Sequence, residues 1–95
     1  MKINELKDRG KVDELKVRIA GLLPEVIKTK SGSEIQQAII SDGTGQAILK
    51  LWNEQIGQYE MDDNIIIKNG YSKLFEKQYE VTTGKFGTIK KNPVE

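Results

Sequence analysis

The stretch Asp42-Gly43-Thr44-Gly45-Gln46-Ala47-Ile48-Leu49-Lys50-Leu51-Trp52, then a short acidic connection, then Ile65-Ile66-Ile67-Lys68-Asn69-Gly70-Tyr71-Ser72-Lys73-Leu74-Phe75, decides how this chain is read. Side chains alternate along a strand, so Ala47, Leu49 and Leu51 share one side and Gln46, Ile48, Lys50 and Trp52 point to the other. The single Trp of the chain is therefore predicted to face away from the apolar side. Asp42-Gly-Thr-Gly45 is a tight turn into this strand, with each Gly available for positive φ. In the later strand Ile65 and Ile67 point inward while Ile66 and Lys68 point outward. Strict alternation would also bring Tyr71 inward, so its outward placement requires a bulge or strand end at Asn69-Gly70.

Working back from the turn, Ile35 to Ser41 forms a strand with Ala38 and Ile40 inward and Ile35, Gln37 and Ile39 outward. Before it, Lys28-Thr-Lys-Ser-Gly-Ser-Glu34 is a polar turn carrying two Lys. A long first strand begins at Lys11, where Leu15, Val17 and Ile19 alternate with Lys16 and Arg18. It bends at Gly21 and resumes through Leu22, Leu23, Val26 and Ile27, interrupted by Pro24. Residues 1–10 place Ile3 and Leu6 at helical spacing and end at Arg9-Gly10, a short lead-in closed by Gly whose apolar pair plugs one end of the fold. Working forward from Trp52, Asn53 to Asp63 has no period of two. Ile56 and Tyr59 fit one or two helical turns, with Asn53 as an N-cap. A fifth strand over Lys77 to Thr82 sets Tyr79 and Val81, assigned to the core, against Gln78, Glu80 and Thr82. Gly84 to Lys91 adds a short edge strand, and residues 92–95 form a tail. There is no internal repeat and no low-complexity segment.

Five strands, a long bent first strand and the largest insertion between strands three and four predict an all-β, five-stranded Greek-key OB-fold barrel, with a short helical segment between strands 3 and 4. SH3-like barrels also have five short strands, and the intervening segment favours OB. A chain of 95 residues is long enough for one core and too short for two. The expected organisation is the lead-in at 1–10, the barrel at 11–91 and the tail at 92–95.

Composition excludes several function classes. There is no Cys and no His, so disulfides, thiol chemistry, the usual zinc ligands and the usual neutral-pH proton shuttle are absent. Asp62-Asp63 is a carboxylate pair without a nucleophile, a base or a phosphate-cradling loop, so the reading is of a protein that is not an enzyme, with no catalytic residue, metal or cofactor. No signal peptide or membrane span is visible, and the expectation is a soluble intracellular protein, cytoplasmic and nucleoid-associated, or nuclear in a eukaryote. The net charge of +1 is low for a nucleic-acid binder. Its distribution is polarised: Glu54, Glu60, Asp62 and Asp63 stand together, whereas from Asn64 to Lys91 six Lys oppose only Glu76 and Glu80. Such polarity can present a positive surface to phosphates at near-neutral average charge, although solvated charge faces are common on any protein.

The run from Asp42-Gly-Thr-Gly45 to Leu51-Trp52, then Ile67-Lys-Asn-Gly-Tyr71, Phe75 and Thr83-Gly84, resembles the OB fold of archaeal single-stranded DNA-binding proteins and their eukaryotic relatives. It is also similar to the single DNA-binding domains of archaeal replication protein A. The lead-in and the Lys28-Thr-Lys-Ser-Gly32 turn fit the same pattern, so the resemblance covers nearly the whole chain. It implies that three aromatic positions stack on successive bases, corresponding here to Trp52, Tyr71 and Phe75. The Tyr71 position is often Trp in relatives, which implies weaker stacking from the smaller ring.

From the residues themselves, an outward Trp beside a Lys, with a Tyr and a Phe one strand later, points to a platform for flat anionic polymers. Stacking is assigned to Trp52, Tyr71 and Phe75, and phosphate contact to Lys28, Lys30, Lys50, Lys73 and Lys77. Arg18 and Lys85 are weaker phosphate candidates, and Ile27 offers apolar contact to a base or sugar. The predicted ligand is single-stranded DNA, bound with little sequence specificity during replication, repair or recombination, alongside other replication or repair proteins and without membrane or small-molecule partners. Two alternatives stay open: RNA or tRNA as ligand, and a protein-interaction OB subunit of a larger complex. A strand Trp is more often core than platform, Tyr71 and Phe75 can instead seal the barrel mouth, and any single Lys is first of all a solvated charge.

Overall fold

Alternation of apolar and polar residues from Gly10 onward yields a first strand, β1 (Gly10–Lys28), long enough to serve two neighbours. The structure is a computed structural model and describes residues 1–84 and 87–92. Five more strands follow: β2 (Glu34–Ser41), β3 (Gln46–Trp52), β4 (Asn64–Phe75), β5 (Gln78–Thr82) and β6 (Thr88–Lys91). The first half of β1 pairs antiparallel with β4, from Gly10↔Ser72 to Arg18↔Asn64. Its second half pairs antiparallel with β2, from Arg18↔Ser41 to Lys28↔Glu34. The change of partner coincides with a register shift between Ile19 and Gly21, at the predicted bend, and a second shift falls between Leu22 and Val26, around Pro24. β2 pairs with β3, β3 runs parallel to β5, and β5 pairs with β4, which closes a ring of five strands. β6 lies on the same edge of β4 as β5, farther down the strand, with Ile65↔Lys91 and Lys68↔Thr88 in register.

The core follows the period-2 reading closely. Leu15, Val17, Ile19, Ala38, Ile40, Ala47, Leu49, Leu51, Ile65, Ile67 and Val81 are buried, together with Val12. Tyr79 is only partly buried and packs against this cluster with Leu22, Ile56, Tyr59 and Ile89. The lead-in contributes Ile3 and Leu6, both buried, from a short 3-10 turn over Ile3–Glu5. Its last left-handed residue is Arg9 (φ 56°), not the Gly10 expected to close it.

Tyr71 faces outward for a reason that involves two strands. The β1–β4 ladder keeps one register throughout, yet the pair opposite Asp13 and Asn69 is missing from it. Asp13 and Glu14 are both exposed, as are Lys68 and Asn69, so both strands change face at the same level. Asn69 adopts a left-handed conformation (φ 53°), which Asn tolerates better than most residues. Below the break Ile65 and Ile67 are buried; above it Gly70 and Ser72 are, and Tyr71 turns out to solvent. Gly70 is required by close approach: a Cβ there would lie 3.0 Å from the Thr82 carbonyl oxygen and 3.2 Å from Cγ2 of Ile67. Ser72 is buried but satisfied, its hydroxyl donating to the Lys7 carbonyl at 2.7 Å.

The helical segment expected after β3 is a single 3-10 turn, Asn53–Gln55. Asn53 sits inside that turn with φ 48° instead of capping it, and its Oδ1 accepts the backbone N–H of Glu34 at 2.8 Å. Tyr59 donates its hydroxyl to the Ile89 carbonyl at 3.1 Å, which ties the connection to β6.

The β4–β5 hairpin turns on Glu76 and Lys77, both left-handed (φ 47° and 67°) with Phe75↔Gln78 in register. Left-handed backbone costs an ordinary residue about 1–2 kcal/mol, and this turn type prefers Asn-Gly. Combining Glu76→Asn with Lys77→Gly is therefore expected to stabilise the domain by about 1 kcal/mol. That corresponds to a rise of about 4–8 °C in the thermal midpoint, read by circular dichroism.

Candidate nucleic-acid interface

The outer face of β3, β5 and β4 is built by the residues left over once the core is filled. On β3 these are Ile48, Lys50 and Trp52, each half-buried. On β4, beyond the break at Asn69, they are Tyr71, Lys73 and Phe75. On β5, between them, they are Gln78, Glu80 and Thr82. Trp52 is absent from the core cluster, and its indole N–H donates to the Thr82 hydroxyl oxygen at 2.8 Å. Thr82 is in register with Tyr71 on its other side. Trp52 and Tyr71 therefore flank one β5 residue. Tyr71 is 44% exposed and Phe75 53%, and the two lie about 13 Å apart along β4, with Lys73 between them on the same side.

The platform continues past Trp52 in the other direction. Ile35 is in register with Trp52, and Ile27, 50% exposed, is in register with Ile35. This gives a row of Ile27, Ile35, Trp52, Thr82 and Tyr71 across five strand segments. Gln55 supports the row from behind: its Oε1 accepts the Trp52 backbone N–H at 3.0 Å and its Nε2 donates to the buried Thr83 hydroxyl at 3.1 Å. The end of β3 is thus fastened to the end of β5.

The predicted cations divide into groups. Lys50 and Lys73 lie on the aromatic face, and Lys50 Nζ is 3.4 Å from Oε1 of Glu80. Lys28 and Lys30 are exposed at the β1–β2 turn, and Lys77 is exposed in the β4–β5 turn. Lys28, Lys30, Lys73 and Lys77 enter no ion pair among the described residues. Arg18 is not brought to this face. It pairs with Asp62 at 2.8 Å and lines a separate hollow of about 540 Å³ with Lys16, Asp42 and Asn64. Lys85 lies outside the described residues. The acidic connection is partly neutralised by Arg18 and by Lys91, which is 3.6 Å from Asp63.

Glu80 and Thr82 join the face although the sequence pattern singles out neither. Both come from a strand that reaches β3 by a parallel pairing, for which there is no local sequence signal. The Asp42-Gly-Thr-Gly45 turn takes a structural part. Only Gly43 of its two glycines is left-handed (φ 88°), and Asp42 accepts hydrogen bonds from the Ile3 N–H (2.7 Å), the Thr44 N–H (2.9 Å) and the Thr44 hydroxyl (2.6 Å). Partial burial pushes the Asp42 carboxyl up. The hydrogen bonds from the Thr44 side chain and from the backbone of Ile3, Thr44 and Gly45 outweigh it and hold the group below its ordinary value.

Comparison with known proteins adds family and fold. The OB domain of Ta0387 from Thermoplasma acidophilum superposes with a TM-score of 0.80 at 18% identity, covering 100% of this chain and 88% of that one. A replication factor A related protein from Methanobacterium thermoautotrophicum gives 0.77 at 20%, covering 97% and 89%. A domain of replication protein A from Methanococcus maripaludis gives 0.75 at 20%, covering 96% and 92%. At these identities the likeness is one of fold. A family model described as single-stranded DNA binding protein Ssb-like, OB fold, matches residues 11–91. With that match extending from the second residue of β1 to the end of β6, the chain belongs to the Ssb-like family of single-stranded DNA binding OB folds.

Proposed function

We propose that this domain binds single-stranded DNA with little regard for sequence, stacking bases on Trp52, Tyr71 and Phe75 and contacting phosphates through Lys28, Lys30, Lys50, Lys73 and Lys77. Membership of its family makes it a nucleic-acid-binding OB domain. The finer reading rests on one observation: three aromatic side chains stand on the outer face of the barrel, with the indole held by Thr82 and with Lys50 and Lys73 on the same face. Unpaired bases expose the ring faces that a duplex hides, and each stacked base contributes about 1–3 kcal/mol. Lysines add affinity by releasing condensed counterions from phosphates. The reading places the domain in replication, repair or recombination, in the cytoplasm or nucleus where single strands arise, and without enzymatic activity of its own.

The test is a titration with oligo-dT followed by emission of the single Trp at two salt concentrations. Quenching is expected, with affinity falling as salt rises. The four of these lysines that enter no ion pair among the described residues predict a slope of log K against log salt of about −3, at −0.7 per neutralised phosphate on a single strand, Lys50 being held by Glu80. Each Lys→Ala substitution at Lys28, Lys30, Lys73 or Lys77 should make that slope shallower by about 0.7. A salt-independent affinity would remove the phosphate role, and absence of quenching would remove Trp52 from the interface. Competition between matched DNA and RNA strands separates the two nucleic acids.

A further inference from the structure

Resting on the single-strand reading above, the geometry points to Glu80 as a base-reading residue that accepts hydrogen bonds from the Watson–Crick edge of guanine. Glu80 sits in the middle of the aromatic face, not at its rim: its side chain is 18% exposed, and its Oε1 is 3.4 Å from Nζ of Lys50 on β3. On its other side it is in register with Lys73 of β4. With Tyr71 and Thr82, these residues line a cleft of about 160 Å³.

A carboxylate here is at odds with a surface that only collects phosphates. It pairs with Lys50, which leaves that ammonium only partly free for a phosphate, and it disfavours phosphate oxygens in the middle of the cleft, away from the outer ends of the lysines. An ionised carboxylate is acceptor-only, so the ligand groups it favours are N–H donors. A base stacked on Trp52 or Tyr71 brings its edge to this neighbourhood, and unpaired bases leave their Watson–Crick edges free for such contacts. Thymine offers one ring N–H between two carbonyl oxygens, and adenine and cytosine each offer an amino group beside a ring acceptor. Guanine offers two adjacent donors, N1–H and the N2 amino group, which a carboxylate accepts with both oxygens as it does from a guanidinium. Guanine O6, next to those donors, is an acceptor suited to an ammonium such as Lys73. The Thr82 hydroxyl oxygen accepts from the indole and keeps its own proton to donate. Stacking thus admits every base, and the cleft favours one of them.

The test compares three strands on the wild-type domain: oligo-dT, the same strand with guanine at every third position, spaced against quadruplex formation, and the same strand with inosine, which lacks the N2 amino group. Guanine is expected to raise affinity about fivefold or more, and inosine to give back most of that gain. Glu80→Gln should abolish the preference while keeping or raising oligo-dT affinity, because it releases Lys50, and Glu80→Ala should do the same. Equal wild-type affinity for the guanine and thymine strands overturns the assignment, as does a guanine preference that survives both substitutions. Those results would leave the stacking reading standing, since oligo-dT would still bind. Failure of all three strands to bind would overturn the single-strand reading and this assignment with it.

Discussion

Trp52→Ala is expected to weaken binding to oligo-dT by about 5- to 150-fold, the equivalent of about 1–3 kcal/mol for one lost stacking partner. The fold should survive, because the indole lies outside the buried cluster and leaves no core cavity behind. Trp52 is also the chain's single Trp, so the variant has no intrinsic probe and affinity must be read from polarisation of a labelled strand. Trp52→Phe should recover much of the loss, since a smaller ring still offers a face. Thr82→Val keeps the ring but removes the hydroxyl that holds its N–H, and a smaller loss is expected from it. If Trp52→Ala leaves affinity unchanged and instead abolishes association with another subunit, a protein-interaction role replaces single-strand binding.

The largest effect on stability is expected from Asp42→Ala, at about 3 kcal/mol. Hydrogen bonds to a charged group contribute about 1.5–3 kcal/mol each, and partial exposure of this carboxylate discounts the sum of the three from Ile3 and Thr44. Losing it also frees the Ile3 N–H and loosens the lead-in that delivers Ile3 and Leu6 to the core. A fall of about 12–24 °C in thermal midpoint follows for a domain of this size. The effect carries a pH signature. A carboxyl held below its ordinary value of 3.8 contributes stability that is fully present above that pH and is lost as pH falls through the lower folded value. The difference between wild type and Asp42→Ala should be constant near neutrality and shrink below about pH 4, read from urea midpoints across pH. A difference that persists undiminished in acid would assign the loss to packing instead of charge.

Much of this molecule is legible in the chain because its strands alternate cleanly. Ala47, Leu49 and Leu51 against Lys50 and Trp52 suffice to turn the indole outward, and the bend at Gly21 is visible as a Gly interrupting the pattern. The placement of Tyr71 is legible only as a condition. Asn69-Gly70 permits a break, but the break requires Asp13 on a distant strand to yield at the same level, and no local pattern reports that pairing. Glu80 and Thr82 are hidden for a related reason: their importance comes from a strand neighbour far away in sequence. Asp42 is visible in the chain as a turn residue. Its spacing to Thr44 is the pattern of a carboxylate accepting from the backbone two residues on, so part of its role is open to inspection. Its bond to Ile3, across most of the barrel's first half, is not.

The parallel seam between β3 and β5 has only two register pairs, Ile48↔Glu80 and Leu49↔Val81, fewer than any other ladder in the barrel. It runs beneath the space between Trp52 and Tyr71. On the proposed binding mode, a strand lying on both rings spans that join and adds contacts to both sides of it. Single-strand binding is then expected to slow amide hydrogen exchange along β3 and β5, and unchanged exchange there would separate occupancy from closure.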